Sequence, residues 1–99
     1  MNVSHTLQDI NFEWDDNKAD ENFWKHGISF ETACEVFFDP FFCVGDAGIV
    51  DDEVREAVIG LTVDWRLLYV VYVMREDDVV RIISARTTTK TERKMYENR

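Results

Sequence analysis

The chain has 99 residues, 45% of them hydrophobic and 13% aromatic, with only four glycines and one proline. That length supports one hydrophobic core, and that composition excludes a disordered or low-complexity chain. The net charge of −9 argues against a broad nucleic-acid surface, because an acidic domain is repelled by a phosphate backbone at long range.

Residues 1–10 read as a loose N-terminal arm, and 11–99 as a single domain. Asn11 to Trp14 alternates polar and apolar and suits a short edge strand. Asp15 or Asp16 then offers a side-chain oxygen to the free N–H groups of a helix starting near Asn17. On that helix Ala19, Phe23 and His26 share one face by the i, i+4, i+7 rule, and Gly27 suits the left-handed stop. Ser29 caps a second helix with an apolar stripe of Phe30, Ala33, Cys34 and Phe37, ended by Asp39-Pro40. The segment FFCVGDAGIVDDE reads as a loop or irregular strand.

The second half is β. Ala57, Ile59, Leu61 and Val63 alternate with Glu56, Val58, Gly60 and Thr62, which predicts one buried face. A turn at Asp64-Trp65-Arg66 leads into LLYVVYVM, apolar on both faces and so a central strand. A second turn at Glu76-Asp77-Asp78 returns the chain through VVRIISAR, completing a meander. Thr89 with Glu92 forms a capping box for a last helix, which Met95 and Tyr96 are expected to pin to the sheet. The expected fold is α+β: a small antiparallel sheet, a three-stranded meander plus a short N-terminal strand, packed with helices in the order β-α-α-β-β-β-α.

Cys34 and Cys43 form no CxxC pair, and His5 and His26 stand far apart, so neither a metal nor a cofactor is expected. MNVSHTLQDI lacks a basic region and an apolar run, and no stretch is long and apolar enough to span a bilayer. A cytoplasmic protein with reduced thiols and no membrane association follows.

Candidate chemistry lies in the bases. Residues 75–99 hold seven Lys or Arg against five Asp or Glu, whereas residues 1–74 hold four against fifteen. Arg81 sits in mid-strand on the face of Val79, Ile83 and Ala85; Arg86 has the opposite parity unless a bulge intervenes. Arg55 opens the first strand of the meander, and Lys90, Arg93 and Lys94 lie on the last helix. A mid-strand arginine must be paired or reach solvent, so either ion pairs or a phosphate-binding surface on the open sheet face accounts for it. Lys25-His26 is equally two-sided. Cations in a last helical turn are favoured by its dipole, and a histidine on an apolar face is commonly a core residue.

The blocks FEWDDNKADENFWKHGISFETA, REAVIG, and REDDVVRIISART with TERKMYE resemble the BrnT family of bacterial toxins, in order from Phe12 to about Tyr96. The resemblance implies a RelE-like fold and a metal-independent ribonuclease of a type II toxin–antitoxin pair, which cuts RNA and halts translation. It also implies a separate DNA-binding, BrnA-like antitoxin that covers the toxin and represses the operon, so operator DNA is reached only through the antitoxin.

RNA cleavage without metal needs a base for the 2′-hydroxyl, a proton for the leaving 5′-oxygen, and cations around phosphorus. Arginine stays protonated, which leaves His26, or else Glu13, as base. Arg55, Arg81 and Arg86 would hold the phosphate with Lys25 assisting. Trp14, Tyr96, Lys90 and Arg93 would bind the flanking RNA. The alternative is a non-catalytic interaction module of the same fold that binds an antitoxin-like partner.

Overall fold

The computed structural model describes Met1–Asn98. The chain runs through β1 (Asn2–Leu7), β2 (Ile10–Asp15), α1 (Asp16–His26) and α2 (Phe30–Cys34), which continues into a 3-10 turn at Glu35–Phe38. Then come β3 (Cys43–Val50), β4 (Glu53–Leu61), β5 (Leu67–Met74), β6 (Val80–Thr87) and α3 (Lys90–Glu97). The described strands form one mixed sheet of six, in the order β1-β2-β6-β5-β4-β3. The α+β class and the β4-β5-β6 meander are as expected, but the small sheet is corrected to six strands.

Two of the additional pairings rest on hairpins that lack glycine. Gln8 and Asp9 (φ 48° and 67°), and Asp51 and Asp52 (φ 51° and 63°), each place two successive residues in the left-handed region. That pair of conformations makes the tight turn whose twist matches flanking strands. Residues 1–10, expected as a loose arm, therefore supply β1, which pairs along its whole length with β2. FFCVGDAGIVDDE supplies β3, paired with β4 around an irregularity between Asp46 and Ile49.

β2 is not an edge strand. It lies between β1 and β6, and it runs parallel to β6, with Phe12 beside Val80 and Glu13 beside Arg81.

The helices begin and end where their capping chemistry dictates. Asp15 accepts the Lys18 N–H at 3.1 Å, and the Gly27 N–H donates back to the Phe23 carbonyl at φ 69°. Ser29 caps α2, and Thr89 with Glu92 forms the capping box of α3.

The core lies between α1–α2 and one side of the sheet. Phe12, Trp14, Val58, Leu68, Val70 and Ile82 pack there against Ile28, Phe30, Ala33 and Val36. The approach is closest at Gly60, where an added Cβ would stand 2.8 Å from the Val36 carbonyl oxygen. Only glycine lets the strand backbone touch that turn.

β4 is buried on both sides at Ala57–Gly60 rather than on one, and Val63 is exposed beyond its end. The second side is roofed by α3, which leaves a hollow of about 300 Å³ over Ala57, Ile59 and Tyr69. α3 buries no residue fully and Met95 is exposed, so polar ties rather than Met95 hold the helix down. Tyr96 donates its hydroxyl proton to Asp39, whose carboxylate also accepts the Leu61 N–H.

Candidate active site

The sheet side away from the core gathers the arginines. Val80, Ile82 and Ala85 all face the core, although their spacing breaks simple alternation. The β5–β6 register jumps from Val71–Ser84 to Tyr72–Ile82, so a bulge absorbs one residue at Ile83. Consequently Arg81, opposite Val73, and Arg86, opposite Tyr69, emerge on the same side. The expected parity of Arg81 with Ala85 is corrected by that extra residue. The β4–β5 register, continued by one residue from Glu56–Tyr72, sets Arg55 beside Val73 and so two strands from Arg81.

Each arginine has a defined environment. The Arg81 Nη1 donates to Glu13 Oε2 at 2.7 Å and to Asn2 Oδ1 at 2.8 Å. Arg86 makes a two-pronged contact with Glu92, at 2.8 and 2.9 Å, while its guanidinium lies 4.3 Å above the Tyr69 ring. Arg55 is half-buried, and its Nε has no hydrogen-bond partner among the described residues. The ion-pair alternative thus describes Arg81, Arg86 is paired as well, and both lie on the same side of the sheet as an Arg55 whose Nε is unbonded among the described residues.

The Arg86–Glu92 contact has a pH signature. Hydrogen bonding from Arg86, then from the Thr89 backbone and the Arg86 charge, lowers the Glu92 pKa from the ordinary carboxylate range. A lowered folded-state pKa contributes stability that is present above the unfolded value, about 4.3, and is lost as pH falls below it. Glu92→Gln is therefore expected to flatten the acid side of a Tm-against-pH curve without altering its slope above pH 6. An unchanged acid limb would remove Glu92 as the tie of α3.

α1 is fastened to the same strand by a residue that an apolar-stripe reading overlooks. Asn22 is buried and donates from Nδ2 to the Ile28 carbonyl at 3.0 Å and the Ala85 carbonyl at 2.8 Å. Its Oδ1 accepts the Ala85 N–H at 3.0 Å. These bonds satisfy the β6 backbone beyond the point where β2 stops pairing, and they bring the last turns of α1 to the residue preceding Arg86. His26 follows Asn22 by one turn on the same stripe, and Lys25 adjoins it; both are exposed. The core-histidine expectation is corrected accordingly, as is the buried Phe23, which is exposed.

Ala19 and Phe23 line a hollow with Trp14 and Phe30 on the core side. Lys18, Glu21 and Lys25 occupy the opposite flank of α1 by helical spacing. Lys18 is a cation that a reading centred on Lys25-His26 leaves out.

Trp14 is corrected outright as an RNA-stacking residue. It is 2% exposed and sits edge-to-face with Phe30, so no base reaches it. Tyr96 is half-buried, while Lys90 and Arg93 are exposed on α3. Cys34 is a core residue whose thiol burial pushes up to about 12, which excludes it as a nucleophile near neutral pH.

The architecture is similar to the 1.1 Å crystal structure of the Brucella abortus ribonuclease toxin BrnT, with a TM-score of 0.59 and 23% identity over 78% of this chain and 94% of that one. At that identity the likeness establishes the fold. The family model described as the ribonuclease toxin BrnT of type II toxin–antitoxin systems matches residues 14–92. The chain therefore belongs to the BrnT family, and its enzymatic class is ribonuclease. No curated protein matches the chain. A type II toxin implies an antitoxin partner. Among the described residues no helix is long and apolar enough to cross a membrane.

Proposed function

We propose that the chain is a metal-independent, RelE-like endoribonuclease that acts in the cytoplasm, cuts RNA, and thereby inhibits translation. His26 takes the 2′-hydroxyl proton as the 2′-oxygen attacks phosphorus. The P–O5′ bond then breaks, leaving a 2′,3′-cyclic phosphate, and the leaving 5′-oxygen takes a proton from solvent water. Arg55, Arg81 and Arg86 hold the phosphate and its developing charge, with Lys25 assisting. Lys90, Arg93 and the Tyr96 ring bind the flanking RNA. A BrnA-like, DNA-binding antitoxin covers the toxin, and the complex represses its operon.

The observation that carries this reading is the β6 bulge, which turns two strand arginines to one side of an otherwise anionic molecule. Substrate phosphate exchanges with the Glu13 and Glu92 carboxylates that hold those arginines in the free protein. A pH–rate profile tests the base. Cleavage by the parent is expected to rise with pH along an acid limb, as removal of a proton by a general base requires. His26→Ala is expected to remain folded, because the residue is exposed, and to lose that limb. A limb that persists in His26→Ala assigns the base to another group.

A further inference from the structure

We infer that the groove beside Trp65, between the β4–β5 turn and the 3-10 turn at Glu35–Phe38, is a docking surface for a cationic, apolar-bearing segment of the antitoxin. The inference rests on the family's pairing with an antitoxin and not on the catalytic reading.

The groove is built and rigid. A hollow of about 460 Å³ is lined by Phe38, Pro40, Leu61, Val63, Trp65 and Glu35. A second, of about 340 Å³, shares Glu35, Phe38 and Val63 and extends to Glu31 and His5. The β4–β5 turn that forms its lip is fixed at four points. Thr62 N–H donates to the Arg66 carbonyl at 2.9 Å, and Trp65 N–H to the Thr62 carbonyl at 3.0 Å. Arg66 N–H donates to Thr62 Oγ1 at 3.1 Å, and Val63 N–H to Glu35 Oε1 at 3.0 Å.

This tight turn presents its two large apolar side chains to solvent: Trp65 is 81% exposed and Val63 is 77% exposed. Trp65 also holds φ 66°, a conformation that is an outlier for a bulky side chain. A tryptophan held outward on a fixed backbone has the properties of an interface anchor, a large contact area with little ordering left to lose.

Charge selects the occupant. Glu31 and Glu35 line the groove, Asp39 lines it as a buried carboxylate bonded to Tyr96 and Leu61, and the turn itself carries Asp64 beside Arg66. These acids repel RNA, and they repel a second copy of a chain with net charge −9. A segment carrying Lys or Arg beside apolar residues complements them. Arg55, Arg81 and Arg86 are not among the residues that line the groove, so the antitoxin gains a hold on residues other than those arginines.

The test titrates the purified antitoxin of the same module onto the chain. Truncating an interface tryptophan commonly costs at least about thirtyfold in affinity. Trp65→Ala and Val63→Glu, both at exposed positions, are each expected to weaken binding by about that factor while the free variants cleave RNA at the parent rate. Glu31→Lys is expected to weaken it as well. Parent affinity in both Trp65→Ala and Val63→Glu overturns the inference. Slower RNA cleavage at unchanged antitoxin affinity assigns the groove to RNA and also overturns it. So does a dimer of the free chain that Trp65→Ala dissociates. A parent that cleaves no RNA counts against the nuclease reading alone, because the antitoxin titration is decided independently.

Discussion

Arg81→Ala is expected to lower the RNA cleavage rate by about a hundred- to a thousandfold, which is the usual cost of removing one fixed donor from a developing oxyanion. Growth arrest on expression should disappear with it. The structural cost is small. Arg81 and Glu13 are both partly solvated, and pairs of that kind contribute up to about 1 kcal/mol. The variant should therefore stay soluble and folded, with a Tm within a few degrees of the parent. Arg81→Lys keeps the charge and loses the planar fork, so an intermediate rate is expected if phosphate geometry matters. A parental rate in Arg81→Ala removes Arg81 from the mechanism and leaves it as the strap between β1, β2 and β6.

Asn22→Ala is expected to be the most destabilising single change in α1. It strips three hydrogen bonds from a side chain that is 6% exposed and leaves the Ala85 N–H, the Ala85 carbonyl and the Ile28 carbonyl without that partner. Buried backbone groups left in that state cost about 1–3 kcal/mol each, and partial entry of water brings the sum to about 3 kcal/mol. For a domain of this size that corresponds to a fall in Tm of roughly 12 °C or more. Because Asn22 ties the last turns of α1 beside Arg86, cleavage should also fall at temperatures where the variant is still folded. A Tm within 2–3 °C of the parent, on the order of 0.5 kcal/mol, would show that β6 does not depend on this clamp.

The local chemistry of this fold is legible in the sequence, and its long-range pairing is not. Asp15, Gly27, Ser29 and Thr89 each act on groups within a few residues of themselves, so their types alone locate the helix ends. β1 escapes such a reading because its turn is Gln8-Asp9, with no glycine to mark it. The parallel contact of β2 with β6 joins residues 68 positions apart, Glu13 and Arg81, and leaves no local trace.

At the site, Arg55, Arg81 and Arg86 stand out by residue type, but their shared side depends on a bulge that no glycine or proline in VRIISART announces. Asn22 is invisible to a search for apolar stripes, since its burial follows from backbone groups on a distant strand. Trp14 misleads in the opposite sense. In a chain of 99 residues a large aromatic is needed in the core, and that need outweighs its suitability for stacking on RNA.

The central claim is that fixed cations on one side of the sheet contact the backbone of a single RNA strand. Its most direct test is the salt dependence of RNA binding by the folded, cleavage-deficient His26→Ala protein. Phosphate contacts by these cations predict that log K falls as log salt concentration rises, and that adding Arg81→Ala makes the slope shallower, by up to about 0.7. A slope near zero, or one that Arg81→Ala leaves unchanged, would contradict the account.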